Sequence, residues 1–174
     1  MEFQIEGNEM HDAAQGAPAP AQVSPLAALR ARREKIVDEL FIDIRVPRWN
    51  EPEIFVRFKP VSTTRLSAAI ERRRKSKDEN WSVLANADIL IDSCAGIYAV
   101  MSDDPEAKLS LRPNEPHGKW TKFDMDLCQA LGLEANRASD AVLGLYLTEG
   151  DLIETTNRLL KWSNIASDEA DEAF

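Results

Sequence analysis

A change of period across residues 41–60 constrains the fold more than any other feature of this chain. In FIDIRVPRW, Phe41, Asp43 and Arg45 alternate with Ile42, Ile44 and Val46. In EIFVRFKPV, Ile54, Val56 and Phe58 alternate with Phe55, Arg57 and Lys59. A two-residue period puts successive side chains on opposite faces of an extended strand. Two such runs joined by the stretch from Pro47 to Pro52 predict a β-hairpin over 41–60. Proline at 47, 52 and 60 is expected to confine the pairing to the spans between them, because it lacks the backbone donor a ladder needs.

On both sides of the hairpin the apolar residues recur at helical spacing. Ser24 as N-cap and Pro25 in the first turn open a helix over 25–40, with Leu26, Leu29, Arg33, Ile36, Val37 and Leu40 along one side and arginines covering the other. Helical residues return over 62–95. Ser62 or Thr63 caps a first stripe of Leu66, Ala69 and Ile70, which leaves through the run ERRRKSKDEN, read as solvated. A second helix starts near Asn80 and carries Trp81, Val83, Leu84, Ala87, Leu90, Ile91 and Cys94. Gly96 marks its end or a tight approach, and Ile97, Tyr98 and Val100 begin a strand. Residues 102–119 are expected to be loop around a weak strand at Leu109–Leu111, with Trp120–Phe123 paired to that region. Three helices close the chain: 124–132, capped by Asp124 and ended by Gly132; 138–147, with Ala138, Ala141, Val142 and Leu145; and 149–163, with Leu152, Ile153, Thr156, Leu159, Leu160 and Trp162.

This order gives an α+β class, a small hairpin followed by a mainly helical domain. The expected organisation is a disordered arm at 1–24, rich in Ala, Pro, Gln and Gly, a single domain at 25–166, and an acidic tail at 167–174. A chain of 174 residues with 44% hydrophobic and 29% charged residues is long enough for one ordinary core. No apolar run approaches a membrane span, and no basic segment followed by an apolar one reads as a secretory signal. Cys94 and Cys128 each sit in a helix-like apolar pattern, which suits two buried reduced thiols in a reducing cytoplasm.

Charge is distributed unevenly. Residues 28–77 hold 14 Lys and Arg against 7 Asp and Glu, a net of +7; of the 21 bases and 30 acids in the chain this leaves 7 and 23, a net of −16. A bipolar chain of this kind can dock head to tail or offer opposite faces to different partners.

Catalytic hardware is missing from the sequence. His11 lies in the arm and His117 in a polar loop, and neither has a Cys, Asp or Glu at ligand spacing, so no metal site is expected. Gly118-Lys119 lacks the upstream glycine and following Ser/Thr of a phosphate loop, and there is no G-x-S-x-G elbow. Asp103-Asp104 and Asp124-Asp126 fall in a turn and at a helix start, where Asp is expected for local capping. No nucleophile, base and orienting group can be assembled, so no enzyme activity and no cofactor are expected. Nucleic-acid binding through a basic face at 30–77 is a rival reading, carried by Arg30, Arg32, Arg33, Lys35 and the run Arg72-Arg73-Arg74-Lys75-Ser76-Lys77. Against it stand the net charge of −9, the absence of any DNA- or RNA-reading motif, and the ordinary preference for bases at a helix C-terminus.

Four segments in order resemble one family. They are the basic helix leading into FIDIRVPRWNEPEIFVRFKPV; NADILIDSCAGIYAV; TKFDMDLCQALGL; and a closing helix with LLKWSN before an acidic end. Together they are similar to the short-frame product of the tail assembly chaperones of long-tailed (siphovirus) phages infecting actinobacteria. The likeness spans roughly residues 27–174 and departs from the family's turn at Asp43-Ile44-Arg45. Every motif in it is structural and none is catalytic.

The resemblance implies a protein that binds the tape measure protein and keeps that long, helix-rich chain soluble while tail tube subunits polymerise around it. It implies action in the host bacterial cytoplasm, absence from the mature virion, and contacts with the tail tube protein and with a longer form of itself made by ribosomal slippage. Homo-oligomers and many copies on one client fit the same role. Such a holdase needs exposed apolar side chains that accept a partner helix. Leu143, Tyr146, Leu147, Leu160 and Trp162 are the expected partner-binding residues, being more hydrophobes than one helix face can bury. The alternatives are the nucleic-acid binder above and a minor structural tail component retained in the particle.

Overall fold

The computed structural model describes residues 24–111, 120–134 and 137–165. The expected arm up to residue 23, the acidic tail, both histidines and residues 112–119 lie outside them. The chain divides into two units, Met1–Val37 and Asp38–Phe174. In the first unit the described structure is helix α1, Pro25–Glu39, whose last two residues fall in the second. Ser24 O accepts the Ala28 amide at 3.0 Å, and Pro25 takes the first helical position, where a missing N–H costs nothing. No residue of α1 is buried.

The second unit has the expected α+β composition. Its strands β1 (Ile42–Asn50), β2 (Glu53–Phe58), β3 (Cys94–Met101) and β4 (Asp104–Ser110) form one antiparallel sheet in chain order. Helices α2 (Thr63–Ser76) and α3 (Trp81–Ser93) connect β2 to β3; α4 (Met125–Ala130), α5 (Ala138–Tyr146) and α6 (Glu149–Trp162) follow the sheet. The hairpin is therefore half of a larger sheet.

β1 and β2 form the expected antiparallel hairpin, with Ile42 opposite Phe58 and Ile44 opposite Val56. Pro47 does not end β1. The register slips between Arg45 and Asn50, and Pro47 sits in that slip, where no ladder donor is required. The same irregularity turns Arg48 to φ 70° and sends Arg48 and Trp49 toward α5 and α6. Arg48 Nε donates to Asp151 Oδ2 at 2.6 Å, and the Trp49 indole donates to Leu145 O at 2.8 Å.

The stretch 94–110 departs further from expectation. The 62–95 span stops at Ser93, because Cys94 already pairs with Phe58 in the sheet. β4 takes up residues 104–108 of the expected loop and runs into the expected weak strand at Leu109 and Ser110. Its sequence DPEAKLS shows little alternation because it is an edge strand, mostly exposed and carrying charge and proline, a composition that discourages further strand addition. Trp120–Phe123 does not pair with β4; Thr121 bridges Ile97 of β3, with Ile97 N donating to Thr121 O at 2.8 Å.

One sheet face contributes Ile44, Val46, Ile54, Val56, Phe58, Ile97 and Ala99 to a core shared with the helices. Helix α2 is capped by Ser62 Oγ and buries the expected Leu66, Ala69 and Ile70 against α3. Helix α3 packs on α5 and α6, which in turn reach β1. Asp124 caps α4, and Thr148 caps α6 through the Asp151 amide. Gly132 takes φ +68° just beyond α4, a conformation glycine adopts without strain.

Candidate protein-interaction surfaces

Helix α1 carries the largest group of exposed apolar side chains on one described element. Leu26, Leu29, Ile36 and Val37 are between 46% and 65% exposed, and Leu40 just past the helix is similar. At 3.6 residues per turn these five lie within an arc of about 100°. Arg33 sits inside that arc, and Arg30 and Arg32 lie at its two edges, so the arginines do not cover the opposite side as expected. None of the three arginines makes an ion pair among the described residues. A helix of this length is marginal in water by itself, so the apolar stripe left open on it is a candidate surface for association.

The five side chains expected to bind a partner are not brought together on the surface. Tyr146 and Leu160 are core residues with essentially no exposure. Leu143 and Trp162 are half-buried and packed against the core. Only Leu147 is open, at 57% exposure. It follows the last turn of α5 at φ 58°, so its side chain turns away from the helix packing. The surplus of hydrophobes read from the sequence is absorbed because α5 and α6 bury faces against α3, against each other and against the sheet.

The basic run on α2 is mostly exposed, as expected, but several of its charges are engaged within the fold. Arg73 donates from Nε and Nη2 to the Asp88 carboxylate at 2.8 and 2.6 Å, and Arg72 Nη1 reaches the same carboxylate at 3.2 Å. Asp88 is 5% exposed and lies on α3. Arg74 lies over the Trp81 ring at 5.0 Å, and Lys75 pairs with Glu71 one turn back. Much of this charge serves to join α2 to α3, which leaves less of it for phosphates.

The sheet face away from the helices holds a cluster the sequence reading missed. Asp43 and Arg57 are cross-strand partners and form a two-point ion pair at 2.7 and 2.7 Å. The Arg57 guanidinium lies between the rings of Phe41 and Trp120, 3.6 and 4.7 Å from their centroids. Lys108 Nζ reaches Asp43 at 3.3 Å, and Tyr98 stacks on Phe55 and meets Trp120 at a tilt of 40°. Burial alone pushes the Asp43 carboxyl up. Bonds from Arg57 and Tyr98, with the charges of Arg57 and Lys108, outweigh it and hold the carboxyl below its ordinary value. Burial, the bond to Asp43 and its charge push the Tyr98 phenol up. Each charge has a close opposite partner, so the cluster braces the sheet and offers no free acid or base. Its signal was available in the alternation, which puts residues 43 and 57 on one face.

A cavity of about 330 Å³ opens beside Trp49, lined by Ile54, Leu111, Leu127, Leu131 and Leu145 among others. Its walls are apolar, and the one indole donor beside it is already given to Leu145 O. Cys94 and Cys128 are both free thiols. Burial pushes Cys94 up to about 12, away from nucleophilic character. Among the described residues no group of three His, Cys, Asp or Glu could hold a metal ion, and no helix is long and apolar enough to cross a membrane. Comparison with protein-family models, with curated proteins and with solved structures returned no match.

Proposed function

We propose that this chain is a non-enzymatic assembly chaperone of a long-tailed phage, which binds the tape measure protein and keeps it soluble while the tail tube forms. The observation that carries the reading is α1, a helix with no buried residue and an open stripe of Leu26, Leu29, Ile36 and Val37. A holdase needs such a surface, because a helical client buries its own apolar face by laying it against another helix. The ordered motifs give the client its identity through the family they resemble. Supporting the same role, Asp43, Arg57, Asp88 and Arg73 are engaged in internal ion pairs. The proposed partner surface is accordingly the stripe on α1, in place of the α5–α6 hydrophobes.

Many weak contacts along one long client would add through multivalency, so no single copy needs high affinity. The protein would act in the host cytoplasm and leave before the particle is complete. Co-expression with the tape measure protein tests the reading. The client is expected in the soluble fraction only when this chain is present, and a Leu29→Lys, Ile36→Lys variant is expected to lose that effect. A client equally soluble without the chain overturns the proposal, and recovery of the chain from purified virions replaces it with a structural tail component.

A further inference from the structure

We infer that α1 selects a partner helix whose apolar stripe is bordered and interrupted by carboxylates. This rests on the chaperone reading, and it names the chemistry of the client segment that the helix takes. The argument starts from where the arginines stand. An apolar stripe alone accepts any amphipathic helix, since burial of apolar area is non-directional. Here Arg33 stands within the stripe, with Leu29, Ile36 and Val37 around it, and Arg30 and Arg32 flank it. All three are exposed and make no ion pair among the described residues. A partner laid along the stripe removes water from Arg33, and a guanidinium taken out of water needs a carboxylate or other acceptor against it.

The same arrangement disfavours two other occupants. A second copy pairing α1 on α1 brings arginines against arginines along the seam, and like charges opposed there weaken association. Duplex DNA answers the arginines but leaves the apolar residues between them uncovered, because phosphate contacts do not bury a leucine and isoleucine stripe. An acidic amphipathic helix satisfies both parts of the surface. Electrostatics then sets which helix is taken, and apolar contact holds it.

The test uses the full chain and two designed peptides of about 20 residues with the same apolar residues at helical spacing, bordered by Glu in one and by Lys in the other. The Glu peptide is expected to bind at least about tenfold more tightly than the Lys peptide, and to weaken as salt rises. The charge-reversed chain, Arg30→Glu, Arg32→Glu, Arg33→Glu, is expected to invert that preference. The charge-conserving chain, with Lys at all three positions, is expected to keep it, which separates charge from loss of the helix. Equal binding of both peptides, a preference that survives reversal, tighter binding of duplex DNA than of the Glu peptide, or self-association abolished by the reversal each overturn the inference. The two proposals fail separately. If the reversed chain still keeps the tape measure protein soluble, the acidic-helix inference falls and the chaperone stands. If the unaltered chain binds the Glu peptide but leaves the client insoluble, the chaperone reading falls instead.

Discussion

Arg73 on α2 closes two donors onto the carboxylate of Asp88 on α3, and Asp88 is almost completely buried. A carboxylate at that depth is tolerable only with its partner in place, so the pair fixes how α2 lies on α3. Removing the carboxylate strands a guanidinium that is still partly open to water and can turn outward. Asp88→Ala is therefore expected to cost about 2 kcal/mol, below the full range for a broken buried pair. Arg72→Ala, at an exposed position with a longer contact, is expected to change stability by less than about 0.5 kcal/mol. Urea unfolding of both variants checks the contrast, and equal losses would mean that Arg73 is not the principal partner.

Gly96 lies beneath Trp120. A Cβ added there would stand 2.7 Å from Trp120 Cβ and 2.8 Å from its Cε3, too close for the ring to stay where it is. Trp120 in turn covers Arg57 and packs at a tilt against Tyr98. Gly96→Ala is expected to destabilise by about 1–3 kcal/mol through overpacking, with a red shift in Trp120 emission as the ring lifts away from the sheet. An unchanged spectrum in a variant whose other tryptophans are replaced by Phe would refute this.

The depressed Asp43 carboxyl predicts a pH dependence with a definite sign. A carboxyl whose folded value lies below its unfolded one contributes stability above the unfolded value, about 3.9 for Asp, and that contribution disappears as pH falls through the folded value. Asp43→Asn is therefore expected to be less stable than the unaltered chain at pH 7, with the gap closing in acid below about pH 4. A gap that persists at pH 2 would assign the loss to packing rather than charge.

Tyr146 is buried, and among the described residues its hydroxyl makes no hydrogen bond of good geometry, with only the Thr155 side chain beside it. Removing a poorly satisfied buried hydroxyl while keeping the ring relieves a desolvation cost. Tyr146→Phe is expected to be neutral to about 1 kcal/mol stabilising, whereas Tyr146→Ala is expected to cost about 3–5 kcal/mol as a core cavity. Leu147 inverts this logic, since it is exposed and stands at positive φ. Leu147→Gly is expected to raise stability by about 0.5–1 kcal/mol by relieving backbone strain. Thermal unfolding of the three variants gives the order.

Cys94 is expected to be slow with thiol reagents in the folded chain. With its thiol pushed up to about 12, alkylation at pH 8 should be at least about a hundredfold slower than in denaturant. Mass spectrometry of partly modified protein locates the reaction, and rapid native labelling at Cys94 would show that the site opens.

Much of this architecture was already legible in local chemistry. The alternation at 41–60 made a hairpin, Ser62 and Asp124 capped the helices that follow them, and the Leu66-Ala69-Ile70 stripe became buried. These features depend on near neighbours along the chain, and a two- or 3.6-residue period reports them directly. Edge strand β4 was hidden because its partner β3 supplies the order and its own residues stay wet. For the interaction surface, the sequence supplied hydrophobes in excess at α1, α5 and α6 alike. Which of them remain outside was decided by packing. Tyr146 and Leu160 find neighbours in the core, while Leu26, Leu29 and Ile36 stay open to water. Composition and spacing fix which side chains are greasy and which face they share; only long-range contacts between distant elements determine what covers each face, because burial is a property of the assembled chain.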